Sequence, residues 1–354
     1  MDYSSARILE IGDHSYFRQI YPETTTLLWT AHRPPRHLHP SEYLDCTPRH
    51  LSRTIGDIKR GGYDLVVIYP HARAAWHPRY WLRALVYTPS HPVAALTRCF
   101  GIPMLRFVGF KTPLVVVDMH DDFTIHRSNF FLLGRAKNYF KRELPVDAWQ
   151  TLHGTAHHDL PTGQLRSNKR WQDWLEKLRP ISLQIGRIDI GDADKVFAAK
   201  TTDVFFAGNV QSNSTLRLNG AAQLRRLADL GVRVDMPSTL LSKSEYQHRM
   251  SLAWLAWSPS GRGWDCYRHY EAPQCLAVPV INYPTILRHM PLEDGRHAIY
   301  YAPEGNGLAE AVSNALLDRD RLKTIALAGR AHVQANHVDR AFCDRILALA
   351  LEGA

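Results

Sequence analysis

The chain is poor in cysteine, and what it has follows no binding pattern. Its five cysteines (Cys46, Cys99, Cys266, Cys275 and Cys343) are odd in number, scattered and free of CxxC pairs. That argues against a disulfide framework and against a structural zinc site, and reduced, mostly buried thiols are expected. No apolar run reaches the roughly 18–20 residues that a membrane-crossing helix needs. The N-terminal MDYSSARILEIGDHS lacks the basic region and apolar stretch of a signal peptide, because Asp2 and Glu10 interrupt it. A cytoplasmic protein is therefore expected. Internal repeats, low-complexity tracts and blocks of five or six basic residues are also missing. RRM, KH and C2H2 spacings do not occur, which weakens a nucleic-acid reading.

What is present is ordinary in amount and ordered in pattern. A length of 354 residues suits two domains, and 45% hydrophobic with 22% charged residues is usual for a globular chain. Forty-three Lys and Arg against 34 Asp and Glu leave a net charge of +9. An excess of that sign favours an anionic partner, for which nucleic acid, an anionic membrane surface and phosphorylated small molecules all qualify.

Apolar and β-branched runs predict strands at Ile8–Ile11, Thr26–Trp29, Leu65–Tyr69 and Leu114–Val117. A second series follows at Val204–Ala207, Val232–Val234, Ala253–Trp257, Val278–Ile281 and Ile299–Tyr301. Helices are predicted between them at Arg49–Arg60, Asn129–Phe140, Thr215–Leu230 and Gly307–Leu317. Alternation of this kind implies parallel α/β sheets with helices on both faces. Residues 141–182 are polar, proline-bearing and tryptophan-rich, and read as an irregular connection with one short helix near Lys169–Leu178. The expected organisation is residues 1–182 as one Rossmann-like domain with its connecting segment, 183–335 as a second, and 336–354 as a terminal helix. Asp339 N-caps that helix, and it either packs on its own domain or reaches back to the first.

In doubly wound sheets ligands sit beyond the carboxyl ends of strands. Four such places carry unusual chemistry here. After Ala253–Trp257 comes SPSGRGWDCYRHYEA, in which Gly261 and Gly263 permit close backbone approach and positive φ. The following helix offers free N–H groups to an anion, with Arg268 suited to a diphosphate and Glu271 to ribose hydroxyls; an Arg–Glu surface pair is the plainer alternative. The second place is the glycine loop of DVFFAGN, residues 203–209. The third is IGDHSY, residues 11–16, where Gly12 permits a tight turn and His14 or Asp13 is positioned to take a proton. The fourth, LVVVDMHDD, ends in Asp118, His120, Asp121 and Asp122, which suit an acceptor base, hydroxyl binding, a hard metal ion or plain solvation. His153, His157, His158 and Asp159 have a partial zinc spacing but a loop context without cysteine. Lys137–Glu143 reads either as a basic helix face or as a solvated helix end.

YRHYEAPQCLAVPVI resembles the donor-site signature of GT-B glycosyltransferases, especially the exostosin-like and spore-maturation (CgeB-like) groups. Ala328–Val333 with His337 and Arg340 is similar to the closing region of the same group, and the resemblance covers about residues 203–350. It implies a GT-B architecture, with two Rossmann-like doubly wound domains facing each other across a cleft. It further implies that Gly208, Asn209, Arg217, Gly261, Gly263, Tyr267, Arg268 and Glu271 bind a nucleotide-sugar donor. The base is then expected from Asp13, His14, Asp121 or Asp122 of the first domain, without a metal or other cofactor. One departure stands out. Many retaining members carry two glutamates eight positions apart, and the first falls on Gly263 here, with Asp265 two residues on. The implied function is glycosyl transfer to a glycan or glycolipid, in surface polysaccharide or glycoconjugate biosynthesis. Peripheral contact with the inner face of an anionic membrane and no role for nucleic acid go with it. An epimerase or phosphorylase of the same fold and a non-enzymatic binder of an anionic polymer are the alternatives.

Overall fold

The structure is a computed structural model that describes residues 3–71, 78–87, 92–109, 111–153, 155–157, 160–161, 169–210 and 214–352. The chain divides into two compact units, Met1–Ile181 with Cys343–Ala354, and Ser182–Phe342. The terminal stretch is tied to the first unit by Lys137 Nζ, which donates to the Ala350 carbonyl at 2.8 Å, and by a Tyr21–Asp344 hydrogen bond.

The first unit is built on β1 (Ile8–Gly12), β2 (Thr25–Trp29), β3 (Leu44–Asp45), β4 (Leu65–Ile68), β5 (Leu114–Asp118) and β6 (Asn138–Lys141). A small hairpin of β7 (Thr155–His157) and β8 (Leu160–Pro161) follows, and then β9 (Leu178–Pro180). The seven-stranded sheet runs β3-β2-β1-β4-β5-β6-β9, all parallel. Central strands β1, β4 and β5 are buried along their whole length, as their near-continuous apolar sequences require of strands covered on both faces. The second unit holds β10 (Thr202–Phe205), β11 (Val234–Asp235), β12 (Ala253–Trp257), β13 (Val278–Asn282) and β14 (Ile299–Tyr301). They form a parallel sheet in the order β11-β10-β12-β13-β14. Each order reverses once, between β1 and β4 in the first sheet and between β10 and β12 in the second. Both arrangements are doubly wound.

The predicted strands all form, with ends shifted by a residue or two. The helix expected over Asn129–Phe140 does not: it stops at Arg135, and Asn138–Lys141 is β6. The cause is tertiary. Tyr139 and Phe140 are fully buried between β5 and β9, so sheet pairing overrides helical spacing. Leu178–Pro180, expected to end a helix, closes the sheet as β9, and the preceding helix is Lys169–Leu175.

The same finding corrects the reading of Lys137–Glu143 as a basic surface. Lys141, Arg142 and Glu143 are all buried. Lys141 stands opposite Asp118 in the β5–β6 register, and its Nζ lies 3.2 Å from the Asp118 carboxylate. Tyr139 Oη donates to the same carboxylate at 2.9 Å. Burial pushes the Asp118 pKa up, but the Lys141 and His120 charges and the Tyr139 hydrogen bond outweigh it and hold the group below its ordinary value.

Removing one partner of such a pair leaves the other charge buried and uncompensated. Lys141→Met should therefore cost about 3–5 kcal/mol in urea unfolding. Arg7→Ala, which breaks the exposed Arg7–Asp64 pair, should move the midpoint by only a small part of that. Equal midpoints for Lys141→Met and the native chain would show that the buried pair is not what holds this edge of the sheet.

Candidate functional site

In the second unit the β10 and β12 loops meet over the switch point. Arg268, on the helix Tyr267–Gln274, donates from Nη1 to the Ala207 carbonyl at 2.9 Å and lies over the Phe206 ring at 5.0 Å. Its Nε is buried without a partner. Gly208 matters through clearance, since a Cβ there would sit 3.3 Å from Arg268 Nη1 and 3.2 Å from the Phe206 ring. Arg217, in the first turn of Thr215–Asp229, donates to the Ser260 carbonyl at 3.0 Å and the Asn209 carbonyl at 3.1 Å. Burial and the neighbouring Arg268 charge both push the Arg217 pKa down. Among the described residues neither guanidinium is paired with a carboxylate.

Glu271 does not pair with Arg268 either. Its carboxylate accepts from Tyr246 Oη at 2.8 Å. Burial pushes the Glu271 pKa up, opposed by the Tyr246 hydrogen bond and the Arg268 charge. The plain surface pair is thus replaced by two separately held groups of opposite sign. Gly261 and Gly263 take no positive φ, contrary to expectation; the Gly261 N–H instead donates to the Gly263 carbonyl at 2.9 Å and closes the loop on itself. Tyr267 is exposed at the first turn of the helix. Asp265 is buried, accepting from Leu183 N at 2.8 Å and Tyr270 Oη at 2.6 Å.

Several neighbours escaped the sequence reading. A cavity of about 840 Å³ opens beside Gly208 and Asn209, walled by Met236–Leu241, Arg225, Lys243 and Tyr246. The signal was available: MPSTLL follows β11 and is a strand-end loop like the four singled out. Beneath the Arg268 helix, Ser258 Oγ lies 2.7 Å from His269 Nδ1, and His269 Nε2 donates to the Trp264 carbonyl at 2.9 Å. Cys266 Sγ stands 3.8 Å from the same Nδ1. Burial would raise that thiol, but the His269 and Arg268 charges and its hydrogen bonds hold it well below the ordinary value.

In the first unit the β1–β4 switch point carries Asp13 and His14. Gly12, at φ +150°, is required there, because a Cβ would lie 2.5 Å from that of Tyr69. Asp13 Oδ1 is 2.8 Å from His14 Nδ1, and the His14 ring packs on Tyr16 and Tyr69, each at 5.0 Å between centroids. Crowding by surrounding groups would raise the Asp13 carboxyl, but the His14 hydrogen bond and the His14, His71 and His120 charges together hold it below the carboxylate range. An ionised Asp13 directs the proton of His14 to Nδ1 and leaves Nε2 as the acceptor.

The Asp118–Asp122 stretch is less open than its sequence suggests. Asp118 is committed to Lys141 and Tyr139, Asp121 to Arg142, and His120 Nε2 donates to the Pro70 carbonyl at 2.8 Å. Asp122 is half-buried in the same loop. Among the described residues no three His, Cys, Asp or Glu side chains converge as metal ligands. Of the histidine stretch 153–159, Gly154, His158 and Asp159 lie outside the described residues.

No family model matches the chain, and no curated protein is a significant match. Solved structures are similar over nearly the whole length. Anabaena Alr3699/HepE, in complex with UDP and glucose, is 12% identical at a TM-score of 0.55, covering 99% of this chain and 100% of that one. A glycosyltransferase from Rickettsia africae is 10% identical at 0.56, over 98% and 97%. The lipopolysaccharide outer core galactosyltransferase WaaB, in its apo form, is 9% identical at 0.55, over 98% and 99%. At these identities the likeness shows the fold: two Rossmann-like α/β units of the GT-B kind. Among the described residues no helix is long and apolar enough to cross a membrane.

Glu10 supports the first switch point and gives it a pH signature. It is buried, accepting from Phe17 N at 3.1 Å, Arg18 N at 2.9 Å and Tyr69 Oη at 2.7 Å. Burial pushes its pKa from 4.5 up to about 7, against these hydrogen bonds and the His14 charge. A carboxyl raised on folding stabilises the fold fully below its unfolded value, and that contribution is lost as pH rises through the folded value. The loss between those two pH values is on the order of 3 kcal/mol. Urea unfolding of Glu10→Gln should gain on the native chain as pH rises from 5 to 8. Parallel pH profiles for the two would remove Glu10 as the source.

Proposed function

We propose that the protein is a sugar-nucleotide-dependent glycosyltransferase acting on a glycan or glycolipid acceptor. The observation that carries this reading is the pair of guanidiniums, Arg217 and Arg268, held together over a switch point without a carboxylate partner. Two like charges in a partly buried place are costly unless an anion joins them. A diphosphate meets the need of both, and the first N–H groups of Tyr267–Gln274 add to its binding. Gly208, Asn209, Gly261 and Gly263 form the loop rims, Tyr267 opens the helix, and Glu271 accepts hydrogen bonds from the ribose. The cavity walled by Met236–Leu241 is of a size to take the nucleobase.

Transfer requires the leaving diphosphate to be stabilised as charge builds on it. Arg217, Arg268 and the helix N–H groups do this in the proposed reaction, so neither a metal nor another cofactor is needed. On the acceptor side, His14 Nε2 removes the hydroxyl proton while Asp13 orients the ring and stabilises the imidazolium. Asp121 and Asp122 serve as hydroxyl-binding groups rather than bases, since Asp121 is already claimed by Arg142. The exostosin-like or CgeB-like affiliation, a cytoplasmic setting beside an anionic membrane and a place in surface polysaccharide or glycoconjugate assembly belong to the same proposal. The net charge of +9 supports the anionic setting.

A thermal-shift screen of uridine, guanosine, cytidine and thymidine sugar nucleotides tests the donor side. At least one should stabilise the native chain, and Arg268→Ala should weaken it by about tenfold to a hundredfold. If none stabilises it, the reading fails. With that donor, His14→Ala should lower turnover by about 10²–10⁴ and leave the thermal shift intact. Full turnover in His14→Ala would transfer the proton to another group.

A further inference from the structure

Between Asp64 and Asp118 the sequence holds no Asp or Glu and six Lys or Arg. Within this stretch two helices, Pro78–Tyr87 and Pro92–Met104, pack on each other through Ala84, Ala95 and Cys99. The outer face of the first is apolar and cationic at once, and that of the second is apolar, its one arginine, Arg98, being paired with Asp45. On the first, Arg79, Leu82, Arg83 and Val86 are all exposed at the i, i+3, i+4, i+7 spacing of one helix face, with Leu82 at 63% and Val86 at 74%. On the second, Val93, Leu96 and Met104 are exposed, and Phe107 follows in the next turn at 77%. Arg106 and Lys111 flank them, both exposed.

Large apolar side chains exposed on two helices packed together mark a contact site, and the neighbouring cations identify the partner. We infer that this helix pair docks on the surface of an anionic lipid bilayer. Leucine, valine and phenylalanine enter the headgroup boundary, while the arginine stems lie along it and carry their charges to the phosphates. A second copy of the chain fits poorly, because its Arg79 and Arg83 would oppose the same cations. A nucleic-acid strand would satisfy the cations but leave Leu82, Val86 and Val93 in water. The inference deepens the acceptor side of the reading above and rests on it only for its purpose, since binding to vesicles needs no donor.

The test is co-sedimentation of the full chain with phosphatidylcholine vesicles, with and without phosphatidylglycerol. Binding should be about tenfold stronger or more with the anionic lipid and should weaken as salt is raised. The triple variant Val86→Ser, Val93→Ser, Phe107→Ser should lose about tenfold in vesicle binding at an unchanged melting temperature. Val86→Ser alone, on an exposed position, repeats the measurement should the triple variant fold poorly. Arg79→Gln with Arg83→Gln should erase the preference for anionic lipid. The proposal is overturned if the native chain ignores both vesicle types or if the variants bind as it does. It is equally overturned if they change self-association in light scattering and leave vesicle binding alone. Vesicle binding without donor stabilisation would uphold this surface while sinking the glycosyl-transfer reading.

Discussion

A parallel sheet with helices on both faces must, at one place, send the connections of neighbouring strands to opposite sides. That divergence opens a crevice above the strand ends, and the two side-chain clusters described above lie beside two of them. In the first unit the crevice lies between β1 and β4, where Gly12 brings the backbone against Tyr69 and Asp13 and His14 emerge together. In the second it lies between β10 and β12, where Arg268 spans from one loop to the carbonyl of the other. Neither cluster needs a special loop fold. Each follows from strand order plus a glycine that clears the approach.

Charge compensation separates the closed ion pair at Asp118 from the cations that meet only carbonyl oxygens. Lys141 is fully buried, yet the Asp118 carboxylate meets its charge and also accepts from the Tyr139 hydroxyl, so the pair is closed. Arg217 and Arg268 find only carbonyl oxygens, which satisfy hydrogen bonds but cancel no charge. Burying a charge costs several kcal/mol unless it is paired, so the second arrangement is stable mainly through exposure to solvent or to an anion. The difference turns on partners rather than on residue type. Lysine and arginine look alike in a composition count, and only placement divides them.

The strands were legible because central parallel strands are continuous apolar runs, and β1, β4, β5, β12 and β13 are such runs. The stretch after β12 stood out for a related reason, since glycine, cation and acid follow a buried strand in one short segment. What sequence reading lost was set by distant pairing. Asn138–Lys141 carries a terminal lysine and follows a helix, so nothing local announces a strand; its identity comes from β5 and β9 on either side. Asp118, Asp121 and Asp122 read as an open acidic loop because Lys141 and Arg142, which engage two of them, stand more than twenty residues later. The Tyr246 hydroxyl on Glu271 is hidden in the same way, twenty-five residues earlier in the chain.

Gly263 and Asp265 bear on where the proposed reaction finds its proton acceptor. A carboxylate two residues from the empty glycine position could in principle replace the missing glutamate. Asp265 is not free to do so, because Leu183 N and Tyr270 Oη hold its two oxygens and the group is buried. Releasing it would break a backbone hydrogen bond at Leu183, where the second unit begins, at a cost of about 1–3 kcal/mol for each buried donor left unmade. Glu271 is held by Tyr246 and raised by burial, which suits a hydrogen-bond acceptor for ribose better than a base exchanging protons with solvent. The acid–base work of the proposed transfer therefore falls to the dyad in the other unit, where an ionised Asp13 leaves one His14 nitrogen open.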